Sequence, residues 1–168
     1  SIGIYHISEG GAKKIEQKKL DKSGNYEFRV ASPEHFDFYL LNVEGCGTIV
    51  FIADSTETIT IDSNAEDFIR EYTVNGNNEN QRVKEILQLH NALEEQVKTM
   101  ASSTPPAVMK TEREIKALVE EFKENIIAQY IAPAPGSASA YYALTLTLAE
   151  MPIFNPMVDK RDSRCFAA

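Results

Sequence analysis

From Ile2 to about Val74 the apolar and polar positions change places over short stretches divided by turn residues, a pattern that predicts a mostly antiparallel sheet. Tyr26, Phe28 and Val30 alternate with Glu27 and Arg29, which predicts a strand with one wet and one buried face. Ser23-Gly24-Asn25 ahead of it is a turn signal, and Leu20 with the lysines before it reads as the partner strand of a hairpin. Phe36 to Val43 and Thr48 to Ala53 are apolar on both alternations, as expected of central strands covered on two sides. Thr58, Thr60 and Asp62 alternate with Ile59 and Ile61, Tyr72 to Val74 makes a last short strand, and Asn75-Gly76-Asn77-Asn78 closes the sheet region.

Beyond that turn the period changes from two to 3.6. Val83, Ile86, Leu87, His90, Leu93, Val97 and Met100 form one helical stripe, with Asn78 and Gln81 in capping positions at its start. Ile115, Leu118, Val119, Phe122, Ile126 and Tyr130 form a second stripe, preceded by a capping box at Thr111 and Glu114. Ser102-Ser-Thr-Pro-Pro106 separates the two, since neither helix can absorb the prolines. The expected product is an antiparallel helical hairpin over 78–132. Pro133-Ala-Pro-Gly136 ends it, Ser137 caps a third helix over 137–150 carrying Tyr141, Tyr142, Leu144 and Leu148, and Pro152 and Pro156 follow. Asp159 to Ala168 has the composition of a helix start and reads as truncated. The fold class expected is α+β: an antiparallel, β-sandwich-like part over 1–76, followed by a helical region over 77–168.

At 168 residues and 43% hydrophobic side chains, the chain can bury a core without disulfides or a metal. A formal charge of -8 argues against nucleic acid or an anionic membrane as the main partner, because both require clustered Lys and Arg. The one basic cluster, Lys13, Lys14, Lys18, Lys19 and Lys22, is interrupted by Glu16 and Asp21 and is expected on a solvated strand and turn. No apolar run approaches the roughly 18 residues that span a bilayer. The first residue is Ser1, which leads to the expectation of a processed or trimmed product whose export signal or lipid anchor preceded this numbering.

Candidate chemistry is sparse. Cys46 lies in Val43-Glu-Gly-Cys-Gly-Thr-Ile49, where the flanking glycines most simply supply the positive φ of a tight turn, and Glu44 beside it opposes thiolate formation. Cys165 is too distant in sequence to build a C-x-x-C dithiol or a zinc knuckle with it, although a bridge between the two remains open. His6, His35 and His90 share no ligand spacing, and His90 falls on an apolar stripe where a packed, hydrogen-bonded imidazole is expected. Glu66 and Asp67, and Glu94, Glu95, Glu120, Glu121 and Glu124 on the polar helix sides, read as solvated carboxylates. Gly10-Gly11 lacks the setting of a phosphate loop and reads as a hairpin turn. Tyr72, Tyr130, Tyr141 and Tyr142 could border a sugar-binding or peptide-binding surface, with core packing the simpler assignment. No residue is singled out as catalytic, metal-ligating or cofactor-binding.

Taken in order, Lys18-Lys-Leu-Asp-Lys-Ser-Gly-Asn-Tyr-Glu-Phe28, Phe38-Tyr-Leu-Leu41, Ile49 to Ala53, Glu57-Thr-Ile-Thr-Ile61, Tyr72-Thr-Val-Asn-Gly76 and Pro152-Ile-Phe-Asn-Pro156 resemble the N-terminal domain of exported bacterial thioredoxin-like proteins. These are the thiol-disulfide oxidoreductases related to alkyl hydroperoxide reductases. The resemblance implies a non-catalytic accessory domain in the periplasm or cell envelope, without cofactor. Its partner would be a C-terminal thioredoxin-like module of the same polypeptide, alongside other envelope proteins. The family's C-x-x-C dithiol has no counterpart here, so no catalytic residue carries over. The competing expectation is a stand-alone cell-surface module that binds a glycan or a protein. An independent hydrolase would need a convergent nucleophile-base pair, of which the sequence gives no sign.

Overall fold

The computed structural model describes residues 1–8, 10–54, 57–102 and 108–155, with the side chains of residues 108–111 outside the description. The architecture is α+β, with two compact units, Ser1–Lys84 and Glu85–Ala168. In the first, β1 (Ile2–Ser8), β2 (Gly11–Lys18), β3 (Asp37–Val43) and β4 (Gly47–Ala53) form a four-stranded antiparallel sheet in the order β2-β1-β3-β4. Two further strands, β5 (Thr60–Ser63) and β6 (Tyr72–Asn75), pair as a separate antiparallel ribbon.

The register sets Ile4 opposite Leu41 and Leu41 opposite Ile49, so alternate residues of three strands share one face. On that face Ile2, Val43 and Ile49 cluster with Phe68, Tyr72 and Val74 from the ribbon and its connection, and Ile4, Tyr39 and Phe51 continue the apolar layer. Ile49 is fully buried, worth about 2–3 kcal/mol in transfer free energy.

Two sequence expectations give way here. The expected Tyr26–Val30 strand does not form: β2 pairs with β1 across the Gly10-Gly11 turn, and residues 19–36 carry no regular structure. Asp21 Oδ1 accepts from Ser23 N at 2.8 Å and from its Oγ at 2.6 Å, and Asp21 N donates to the Tyr26 hydroxyl at 2.7 Å. These local bonds replace ladder bonds. Tyr26 and Phe28 still pack on the apolar cluster, so the alternation records burial without a strand. The second difference concerns β4, which is an edge strand and not a central one.

The outer edge of β4 is occupied by a side chain. Asn80, buried to 2% exposure, accepts from Ile52 N at 2.6 Å and donates to Ile52 O at 2.7 Å. Its amide thus presents the same donor-acceptor pair as one residue of a neighbouring strand. Asn80 is held by the start of α1 (Asn78–Ser102), where the Asn77 side chain accepts from Asn80 N at 2.9 Å. The cap is therefore Asn77, one residue ahead of the expected Asn78. The joint also places the first turns of α1 with the sheet, and the units divide after Lys84 instead of at the Asn75–Asn78 turn.

In the second unit α1 continues and α2 (Val108–Ile126) returns antiparallel to it. The direction follows from two contacts: the His90 ring lies 6.3 Å from Phe122, and the Tyr130 hydroxyl donates to Glu85 at 3.3 Å, so earlier residues of one helix meet later residues of the other. Both expected stripes face inward, with Ile86, Leu93, Phe122 and Ile126 buried. Helix α2 starts ahead of the expected Thr111 cap, whose side chain, like the linker residues 103–107, lies outside the description. Its end widens into a π-helical turn, Ile127–Ile131, where Ala132 N donates to Ile127 O at 2.8 Å. The extra residue brings both Tyr130 and Ile131 into the core.

Ser137 caps α3 (Ala138–Leu144) as expected, accepting from Ala140 N at 3.1 Å. The helix stops at Leu144, short of the expected 150, because Thr145 turns its hydroxyl onto Tyr142 O at 2.7 Å and the chain enters a hairpin of β7 (Thr147–Leu148) and β8 (Met151–Pro152). Leu148 is therefore a strand residue. The expected truncated segment from Asp159, together with Pro156 and Cys165, lies outside the described residues.

Replacing Asn80 with Ala strands a buried N–H and C=O on β4 and should lower unfolding free energy by about 2–4 kcal/mol in urea titrations. The β7–β8 turn holds Ala149 at φ 48 and Glu150 at φ 66, the left-handed pair of a type I′ turn built without glycine. Glu150→Gly relieves one of these residues and should raise stability by roughly 1 kcal/mol, about 2–4 °C in melting temperature.

Candidate functional site

Cys46 sits in the β3–β4 turn, its N–H donating to Val43 O at 3.0 Å. Gly45 (φ 84) and Gly47 (φ 128) hold left-handed conformations, and a β-carbon on Gly47 would lie 2.7 Å from Ile69 Cγ2. Backbone geometry thus accounts for both glycines without any reaction at sulfur. The Cys46 side chain is free and half-buried against the cluster of Ile2, Val43 and Ile49. Nearby Glu44 is held below the usual carboxylate range by bonds from the Ser1 hydroxyl (2.9 Å) and amino group (3.1 Å).

Strand pairing brings together one group that the sequence spacing hides. His6 Nε2 on β1 lies 2.6 Å from Asp37 Oδ2 on β3, and the His6 ring is 5.6 Å from Tyr39, which stacks on Phe51 at 5.6 Å. Burial first, and the Asp37 charge second, push the Tyr39 phenol above its ordinary value. An imidazole oriented by a carboxylate is two thirds of a nucleophile-activating set. Its neighbour Ser8, however, donates its hydroxyl to Gly11 O at 3.1 Å in the hairpin turn. Only the pairing of β1 with β3, which no local signal encodes, could have revealed the His6–Asp37 contact.

The other sequence candidates are dispersed. His90, 12% exposed at its side chain, sets Nε2 2.7 Å from Thr147 O and 3.8 Å from Glu94, the packed imidazole expected of its stripe. His35 is exposed in the 19–36 segment. Glu66, Asp67, Glu94, Glu95, Glu121 and Glu124 are exposed, and Glu120 lies 4.0 Å from the buried Lys123, whose ammonium stands over the Phe154 ring at 5.8 Å. Among the described residues no group of three or more His, Cys, Asp or Glu is placed to hold a metal ion. Tyr72, Tyr130 and Tyr142 are buried and only Tyr141, 58% exposed, reaches the surface, so the four do not form an aromatic platform.

A concave feature lies within the first unit. A cleft of about 990 Å³ opens between the apolar face of the four-stranded sheet, the β5–β6 ribbon and the irregular segment. Ile4, Tyr39 and Phe51 line it, and Ile61 and Phe28, which pack on these three, line it too, with Phe68. Within residues 19–36, Tyr26 and Phe28 pack on the apolar clusters while Leu20 and Val30, which border the same cleft, stay exposed. In sequence its lining residues were legible only as core, since alternation marks burial and is silent on whether two buried surfaces meet.

Compared with protein families, curated proteins and solved structures, the chain matches none. Among the described residues no helix is long and apolar enough to cross a membrane.

The Tyr72 hydroxyl is buried with no hydrogen-bond partner among the described residues, and burial pushes its phenol up to about 12, with the Lys84 ammonium 5.1 Å from the ring centroid. A raised folded-state value means that the native state holds the proton more tightly than the unfolded chain. The associated stability is complete below the ordinary phenol value and is lost as pH rises toward 12. Tyr72→Phe should therefore gain about 1 kcal/mol at neutral pH, and urea midpoints measured across alkaline pH should fall less steeply than in the parent.

Proposed function

We propose that this chain is a non-catalytic accessory domain of an exported, cell-envelope thioredoxin-like thiol-disulfide oxidoreductase, holding a C-terminal redox module or recruiting its partner. The observation that supports the reading is the coincidence of the resembling segments with successive elements. Phe38 to Leu41 lies on β3, Ile49 to Ala53 on β4, Glu57 to Ile61 leads into β5, and Tyr72 to Gly76 covers β6 and the turn before α1. Pro152 to Pro156 begins on β8, with Phe154 buried beneath Lys123. The first resembling segment departs from this order, since Tyr26 to Phe28 is not a strand.

On this reading the thiol chemistry belongs to the partner module, and Cys46 serves the turn. A stand-alone binding module is the second reading, and the cleft of about 990 Å³ is the observation in its favour. The expected outcome in a disulfide-exchange assay with a model disulfide is no turnover by the chain above background. Turnover that vanishes in Cys46→Ser would refute the accessory role. The coding sequence separates the two readings: continuation into a thioredoxin-like sequence supports the first, and a stop codon after Ala168 supports the second.

A further inference from the structure

Residues 26–30 carry the alternation of a strand and have no strand beside them. Tyr26, Phe28 and Val30 alternate with Glu27 and Arg29, yet among the described residues no backbone-to-backbone hydrogen bond joins this segment to any other. The ribbon has the complementary feature. Strand β5 pairs with β6 along one edge, and its second edge has no backbone partner among the described residues. The segment and β5 both border the cleft of about 990 Å³, to which β6 contributes no residue. The unpaired segment and the unpaired edge therefore adjoin the same space.

Packing excludes the outer edge of β2 as the place for this segment. Tyr26 and Phe28 pack on the cluster that contains Ile2, Val43 and Ile49, and Phe28 also packs on Ile4, Tyr39 and Phe51; Ile59 and Ile61 pack on both clusters too. A strand added beyond β2 would stand two strand spacings, about 10 Å, from β1 and farther still from β3 and β4. Those clusters would be out of its reach. The segment thus lies over the apolar face of the sheet, in the layer of the ribbon, and Lys18 of β2 reaches it by its side chain alone, donating to Glu27 O with the ammonium 4.8 Å from the Phe28 ring centroid. The side chains match as well. With Tyr26, Phe28 and Val30 turned inward beside Ile59 and Ile61, Glu27 and Arg29 share the outward face of the ribbon with Thr60, Asp62 and Thr73. Arg29, whose side chain is 90% exposed, joins Asp62 on that face, where Asp62 borders a pocket with Arg70 and Lys84. Opposite charges on one face favour strand pairing.

We infer that residues 26–30 are a strap that closes the cleft: they pair as a third strand on the free edge of β5, and the ribbon becomes the second sheet of a sandwich. In the closed state Tyr26, Phe28 and Val30 occupy the space of the cleft, and every second N–H and C=O of the strap exchanges water for a ladder partner. Val30, 36% exposed with the cleft open, gains cover. The inference does not rest on the accessory-domain reading, because strap and β5 both belong to the first unit whether or not a redox module is attached.

The test uses the whole chain and two readouts. Amide hydrogen exchange, followed by NMR on the unsubstituted protein, should show alternate amides within 26–30 exchanging at least tenfold more slowly than their immediate neighbours, the signature of a strand with one ladder. Cross-linking then identifies the partner. In a Cys46→Ser, Cys165→Ser background, Glu27→Cys or Arg29→Cys is combined with Thr60→Cys or Asp62→Cys, all at exposed positions, and oxidised glutathione is added. At least one of the four pairs should form its intramolecular disulfide tenfold faster than Arg29→Cys combined with Gln17→Cys on β2, since the bond requires α-carbons within about 7 Å. Exchange of all amides in 26–30 at the rate of an unstructured peptide, no cross-link to β5, or an equally fast cross-link to β2 would each overturn the inference. Turnover of an external disulfide is not among these readouts, so failure here and failure of the accessory-domain reading are separately visible.

Discussion

The sheet of the first unit ends on a single carboxamide. Strand β4 lies at an edge, where its outward N–H and C=O groups would otherwise need water or another chain, and Asn80 supplies both partners to Ile52 from the first turn of a helix. Three conditions must hold together for this: the turn after β6, the cap at Asn77 that orients the first turn, and the β3–β4 hairpin that fixes the height of Ile52. Glu57 joins the same arrangement, accepting from the Asn77 amide and so tying the approach to β5 to the helix start. Hydrogen bonds to buried backbone gain little when made and cost much when broken. The arrangement therefore tolerates little change at any of the three.

The cleft and the edge joint are opposite outcomes of one problem, which is how to cover a sheet that is apolar on both alternations. On the β4 side a side chain closes the hydrogen-bonding edge. On the apolar face the chain offers residues 19–36, in which Asp21 and Ser23 satisfy the polar groups of the turn before Tyr26 locally, without ladder bonds to the sheet. The open volume follows from that choice of partners.

The helical half was the more legible from sequence, and the reason is local. A 3.6-residue stripe such as Val83, Ile86, Leu93 or Ile115, Leu118, Phe122 needs only one neighbouring surface, and the inward burial of both stripes follows from their spacing. The turn around Cys46 was legible for the same reason, since Gly45 and Gly47 declare their own backbone conformations. Pairing was not legible. Tyr26 and Phe28 alternate as a strand does, yet β1 pairs with β2 through the short Gly10-Gly11 connection and the outer edge of β2 gains no partner from them. The end of α3 was misplaced because Ala149 and Glu150, ordinary helix formers, occupy a left-handed turn that their identities do not announce. His6 and Asp37, 31 residues apart, meet only once β1 and β3 are neighbours.

The position of Asn80 in the chain also orders events while the polypeptide is being made. Every strand of the four-stranded sheet precedes residue 80 in the chain, so synthesis adds the whole sheet before the residue that finishes its border. During that interval Ile52 presents an open donor and acceptor to whatever is near, including other emerging chains. The residue that shuts the border follows Asn75 by only five positions. The helix start is thus timed as well as placed to end the period in which the sheet can recruit a stranger.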